Sequence, residues 1–106
     1  MSDNEVYAII GIPALLEQTA EECSELAHAC LKAARKMRNE NPTPKTVDDI
    51  LAELTEEIAD VKLCTDEVMK TGLISYEGVD SEIVRKRERM EGRLNEFVKQ
   101  NQNCGL

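Results

Sequence analysis

An all-α fold, an antiparallel helical bundle completed by oligomerisation, is predicted for this 106-residue chain from three observations. Three long stretches repeat apolar residues at three- and four-residue spacing, the period of one helical face. The run Asn39-Glu40-Asn41-Pro42-Thr43-Pro44 interrupts the first two, and Gly72 follows the second where a left-handed helix stop belongs. Aromatics are only 3% of the residues and tryptophan is absent, which disfavours aromatic-rich sandwiches. The length suits one domain over 1–106.

The first long helix is expected from about Pro13 to Met37, with proline at a first-turn position. Its apolar face reads Leu16, Ala20, Cys23, Leu26, Ala27, Cys30, Leu31, Ala34 and Met37. The second runs from about Val47 to Lys70, opened by Thr46 and Asp49 as a capping box with Asp in place of Glu or Gln. Ile50, Leu51, Leu54, Ile58, Val61, Thr65 and Val68 form its stripe. Residues Leu73 to Asp80 read as a loop, and Asp80 or Ser81 caps a third helix reaching about Gln100. Ile83, Arg87, Met90, Leu94, Phe97 and Val98 mark its inner face. Asn4 to Ile12 fits either a short helix or an arm packed on a neighbour. Three such helices bury a limited core, so a second or further copy of the chain is the expected partner.

Thirteen Lys and Arg against 21 Asp and Glu give a net charge of −8, unfavourable for binding a nucleic-acid polymer. The longest mostly apolar run, Val6 to Leu16, is too short to cross a membrane, and the start lacks the basic region of a secretory signal. A soluble, cytoplasmic chain without a membrane partner is expected. Cys23, Cys30, Cys64 and Cys104 contain no CxxC pair, and the one histidine, His28, completes no zinc pattern. The first three cysteines read as small apolar residues, and Cys104 as an exposed tail residue. Charge is segregated: residues 1–31 hold six acids and no base, residues 32–45 five bases and one acid, and residues 46–71 eight acids and two bases.

Two acidic motifs stand at the margins of the apolar stripes. Glu22 and Glu25 are three apart on the first helix, as are Glu57 and Asp60 on the second. That spacing puts each pair on one side of its helix, one turn apart. Antiparallel packing would bring all four carboxylates together, and their repulsion calls for a hard divalent cation such as magnesium. A single acidic pair is ordinary on a solvated helix. Two pairs beside the core on consecutive helices are much less so.

On the third helix Lys86, Arg89 and Arg93 share one side and suit a polyphosphate, although Glu82 and Glu96 are spaced to pair with Lys86 and Arg93. Lys32, Arg35, Lys36 and Arg38 read as cations at the negative end of the first helix. His28 reads as structural. Gln18, one turn before Glu22, is a candidate contact to a base or sugar.

With Glu21-Glu22-Cys23-Ser24-Glu25-Leu26, then Glu56-Glu57-Ile58-Ala59-Asp60-Val61, then Lys86 through Arg93, the chain resembles MazG-type nucleotide pyrophosphohydrolases of the all-α NTP pyrophosphatase superfamily. The likeness spans about 15–94, and the Pro-containing loop absorbs a 31-residue spacing between the two motifs. It implies Glu22, Glu25, Glu57 and Asp60 as ligands of magnesium (manganese as a substitute). It implies Lys86 and Arg93, more loosely Arg89, as phosphate contacts, and Glu22 or Glu25 as the group orienting a catalytic water. The implied reaction takes a (d)NTP and water to the (d)NMP and pyrophosphate, in nucleotide-pool housecleaning, by a homodimer or homotetramer. Phosphoribosyl-ATP pyrophosphohydrolases share the acidic motifs. A non-enzymatic helical interaction module is the alternative from another class.

Overall fold

The computed structural model describes residues 5–40 and 44–103. Among the described residues there are four α-helices and no strand: α1 (Glu5–Ile10), α2 (Ile12–Arg38), α3 (Val47–Lys70) and α4 (Tyr76–Asn103). No helix is long and apolar enough to cross a membrane. The expected Cys104 tail lies outside the described residues. Contacts divide the chain into two units, Met1–Leu73 and Ile74–Leu106.

In the first unit α2 packs along α3, and α1 touches both. The N-terminal stretch is therefore a short helix, broken from α2 by Gly11 at φ 87°, a left-handed conformation that glycine adopts without strain. α2 ends at Asn39, also left-handed (φ 62°), with the Asn39 N–H donating to the Lys36 carbonyl and the Glu40 N–H to the Arg35 carbonyl. Arg35, Lys36 and Arg38 occupy that last turn, as the helix-end reading expects.

α3 opens with the capping box read from sequence. The Asp49 N–H donates to Thr46 Oγ1 at 3.1 Å, and the Thr46 N–H to Asp49 Oδ2 at 3.3 Å. Thr46→Ala is expected to destabilise the chain by about 1 kcal/mol, measured by urea unfolding. Gly72 carries φ 77° just past α3 and donates to the Met69 carbonyl, the stop expected there.

The packed face of α2 differs from the expected one. Leu15, Ala29 and Ala33 are buried, and Thr19, Glu22 and Leu26 lie half-buried on the same side. Of the expected stripe, Leu16, Ala20, Cys23, Ala27, Cys30, Leu31 and Met37 are exposed. Two apolar rows run side by side on this helix. The row that packs is the one interrupted by Thr19 and Glu22, so periodicity favoured its neighbour. Thr19 satisfies its hydroxyl on the Leu15 carbonyl at 2.8 Å.

On α3 Ile50 and Val68 are buried and Leu54 and Val61 half-buried, as expected, while Leu51, Ile58 and Thr65 are exposed. Cys64 and Glu67 are buried instead. Glu67 Oε1 accepts from Lys70 Nζ at 2.9 Å.

The second unit holds α4, which starts at Tyr76, inside the stretch expected to be a loop. Ser75 Oγ accepts the Gly78 N–H at 2.9 Å and so caps the helix start. A Cβ at Gly78 would stand 2.8 Å from that oxygen, so this glycine makes room for the cap. Glycine and Ser75 together read as loop signals. Ile83, Arg87, Met90, Leu94, Phe97 and Val98, the expected inner face, are all exposed.

Candidate metal centre

Helix direction decides what meets across α2 and α3. Lys32 pairs with Glu53 at 3.3 Å, and the Thr19 hydroxyl lies beside the Cys64 thiol. Positions rising along α2 therefore meet positions falling along α3, and the two helices are antiparallel. This brings Glu22 and Glu25 to Glu57: one carboxylate oxygen from each lies within 4.8 Å of the others. Glu22 and Glu57 are half-buried and stand within the helix interface, while Glu25 is exposed at its rim.

The electrostatics of the three are unfavourable as they stand. Burial raises the Glu22 carboxyl above its ordinary value of 4.5, and the charges of Glu25, Asp60 and Glu57 push the same way. Glu57 is raised by burial first, then by the charges of Glu25 and Asp60. Glu22 Oε2 and Glu57 Oε2 are both buried without a hydrogen-bond partner. A buried carboxylate oxygen normally finds a donor, so two such oxygens beside a third carboxylate fit a cation. Asp60, the fourth expected ligand, is exposed and outside the tight group, yet near enough to act on both buried carboxyls. Cys64, one turn after Asp60, is raised by burial, with Glu22 and Asp60 adding to it.

A pH dependence follows with a definite sign. Glu22 and Glu57 hold protons more tightly folded than unfolded. Their stabilising contribution is complete below 4.5 and is lost as pH rises through the raised values. In chelator, Glu57→Gln should therefore gain stability relative to the parent chain as pH rises from 4.5 toward neutrality. Thermal melts of both proteins across that range check it.

Beside the carboxylates an open depression of about 370 Å³ is lined by Glu25, His28, Lys32, Glu53, Glu56 and Glu57, with Ala29 at its floor. Glu53 accepts from both Lys32 and Lys45, and these bonds hold its carboxyl below the ordinary value. No family model, curated protein or solved structure matches the chain. The site is therefore read from its own geometry.

That geometry adds residues the sequence reading assigned elsewhere. Lys32 lies in the depression rather than at the helix end, and His28 is exposed on the same wall. The signal was present, since Glu25, His28 and Lys32 follow one another at three- and four-residue spacing. Gln18 is exposed and is not among the side chains lining the depression. Lys86, Arg89 and Arg93 are exposed on α4 in the second unit. There Glu82 pairs with Arg85 at 2.6 Å rather than with Lys86.

Proposed function

We propose that the chain is a magnesium-dependent nucleoside triphosphate pyrophosphohydrolase, converting a (d)NTP and water to the (d)NMP and pyrophosphate. The observation that carries this reading is the convergence of Glu22, Glu25 and Glu57 with two buried oxygens lacking donors. The likeness of both acidic motifs to the MazG-type pattern supports it. Glu22, Glu25 and Glu57 would hold the ion, with Asp60 as the fourth ligand. Bound there, magnesium or manganese supplies neutralisation of phosphate charge and a lower pKa for a coordinated water.

The chain's own groups supply the rest. Glu22 or Glu25 orients the water toward the α-phosphorus, and the bond to the bridging α–β oxygen breaks as pyrophosphate departs. The motif likeness implies phosphate contacts from Lys86, Arg89 and Arg93, which lie on α4 of the second unit. Lys32 offers a further cation in the depression next to the carboxylates. Exchanging its bond to Glu53 for a phosphate oxygen makes it a binding group, so Lys32→Ala should raise KM more than it lowers kcat. Gln18, exposed one turn before Glu22 and outside the depression, is the proposed contact to base or sugar, and association with further copies is the proposed completion of the fold.

Turnover of a nucleotide panel, including dUTP, dCTP, ITP and phosphoribosyl-ATP, with and without magnesium, tests the proposal. Formation of monophosphate and pyrophosphate only with magnesium supports it and ranks the bases. Preferred turnover of phosphoribosyl-ATP would move the chain to that sister activity. No turnover by folded protein would leave a helical interaction module.

A further inference from the structure

The depression beside the carboxylates is polarised along its length. Glu25 and Glu57 stand at one end, where the acidic cluster gathers. Lys32 and Glu53 stand at the other, about two turns further along α2 and one turn back along α3. From Glu25 to Lys32 the helix rises by about 10 Å. His28 lies between them on the α2 wall, and Glu56 lines the α3 wall.

At the Lys32 end one carboxylate serves two ammonium groups. Glu53 Oε2 accepts from Lys32 Nζ at 3.3 Å, and Glu53 Oε1 accepts from Lys45 Nζ. Lys45 immediately precedes Thr46, whose capping box fixes the entry of the chain into α3. Lys32 and Lys45 therefore reach Glu53 from α2 and from the loop, at the edge of one cavity. Two lysines on one carboxylate leave a surplus positive charge in a chain of net charge −8. The side chains of Lys32, Glu53 and Lys45 are 41%, 35% and 47% exposed. Pairs that open to water add little to stability, so these bonds exchange readily for a stronger anion.

We propose that Lys32 and Lys45 hold the two outer phosphates of the substrate, and hence the pyrophosphate that leaves, while Glu53 occupies their ammonium groups in the empty site. The proposal deepens the pyrophosphohydrolase reading and rests on it. A pyrophosphate carries more negative charge than a carboxylate and more oxygens to share between two ammonium groups. Glu53, a third exposed, turns to water as the phosphates take its place. The acidic cluster and the two lysines then act at opposite ends of one depression, both within the first unit. Glu25, Glu56 and Glu57 line the rest of the depression and repel an anion that arrives without a cation.

Calorimetric titration of the full chain with inorganic pyrophosphate, in magnesium and in chelator, tests the proposal. Binding is expected in magnesium only. Lys32→Ala and Lys45→Ala should each weaken it about tenfold or more, and Lys45→Arg should retain it. Glu53→Gln removes the competing charge at constant shape and should bind pyrophosphate more tightly than the parent chain. An ion-pair trio that only ties the loop to α3 would lose stability in these variants without that gain in affinity. Should Glu53→Gln fail to fold, the contrast between Lys45→Ala and Lys45→Arg decides. No binding by the parent chain, or affinity unchanged in both alanine variants, would overturn the proposal. A fall in affinity in Glu53→Gln matching that in the lysine variants would overturn the exchange. Magnesium-dependent nucleotide turnover with pyrophosphate binding indifferent to both lysines would sink this site and spare the reaction. Lysine-dependent pyrophosphate binding without turnover of any nucleotide would uphold the site and sink the reaction.

Discussion

Glu57→Gln should lower magnesium-dependent turnover by roughly 10² to 10³-fold, the scale on which loss of one preorganised charged partner acts in an active site. The substitution keeps the size and shape of the side chain and removes one negative charge from a group of three. Its effect on the two measurable properties is opposite in sign. Without metal, the amide relieves repulsion from Glu25 and Asp60 and no longer resists burial as a carboxylate does, so the fold is not weakened at neutral pH. With metal, the parent chain gains apparent stability by binding in its folded state, and the variant loses that gain. Loss of activity with a retained or higher melting temperature in chelator therefore separates a ligand from a structural residue. Full activity in both Glu57→Gln and Asp60→Asn would sink the ligand assignment.

Ile50→Ala should destabilise the chain by about 3 kcal/mol. Ile50 is 2% exposed and, with Leu15, one of the two largest fully buried side chains. The buried apolar set among the described residues is small: Leu15, Ala29, Ala33, Ile50, Cys64 and Val68. Three of those six are alanine or cysteine, so little surrounding bulk is available to collapse into the space left by a truncated isoleucine. For a domain of this size the loss corresponds to a fall in Tm of about 12 to 24 °C. Leu63→Ala, on the same helix at 63% exposure, should stay within about 0.5 kcal/mol of the parent. Paired thermal and urea melts of the two variants measure the contrast.

The boundaries of α3 were legible in the sequence because both ends carry unambiguous chemistry. Thr46 and Asp49 satisfy each other's backbone donors, and Gly72 supplies the left-handed stop. The start of α4 was not legible, since its cap is a serine followed three residues on by glycine, a pairing that reads equally as a turn. The acidic cluster was legible in part: Glu22, Glu25 and Glu57 converge as their spacing implied, while Asp60, expected with them, lies outside the tight group. The packed face of α2 was misjudged for a related reason. Glu22 is a charged residue in the helix interface, and a hydrophobic pattern assigns such a position to solvent. The same Glu22 that spoils the apolar row thus marks the candidate site. What periodicity selected instead, the row from Leu16 to Met37, is apolar and regular yet exposed in the single chain.

Calorimetric titration of the metal-free protein with manganese decides whether Glu22, Glu25 and Glu57 hold a divalent cation. Binding is expected to release protons, because the raised carboxyls of Glu22 and Glu57 hold them more tightly than ordinary carboxyls do, and to be lost in Glu57→Gln. Absence of binding to the folded chain, or equal binding by Glu57→Gln, would contradict it.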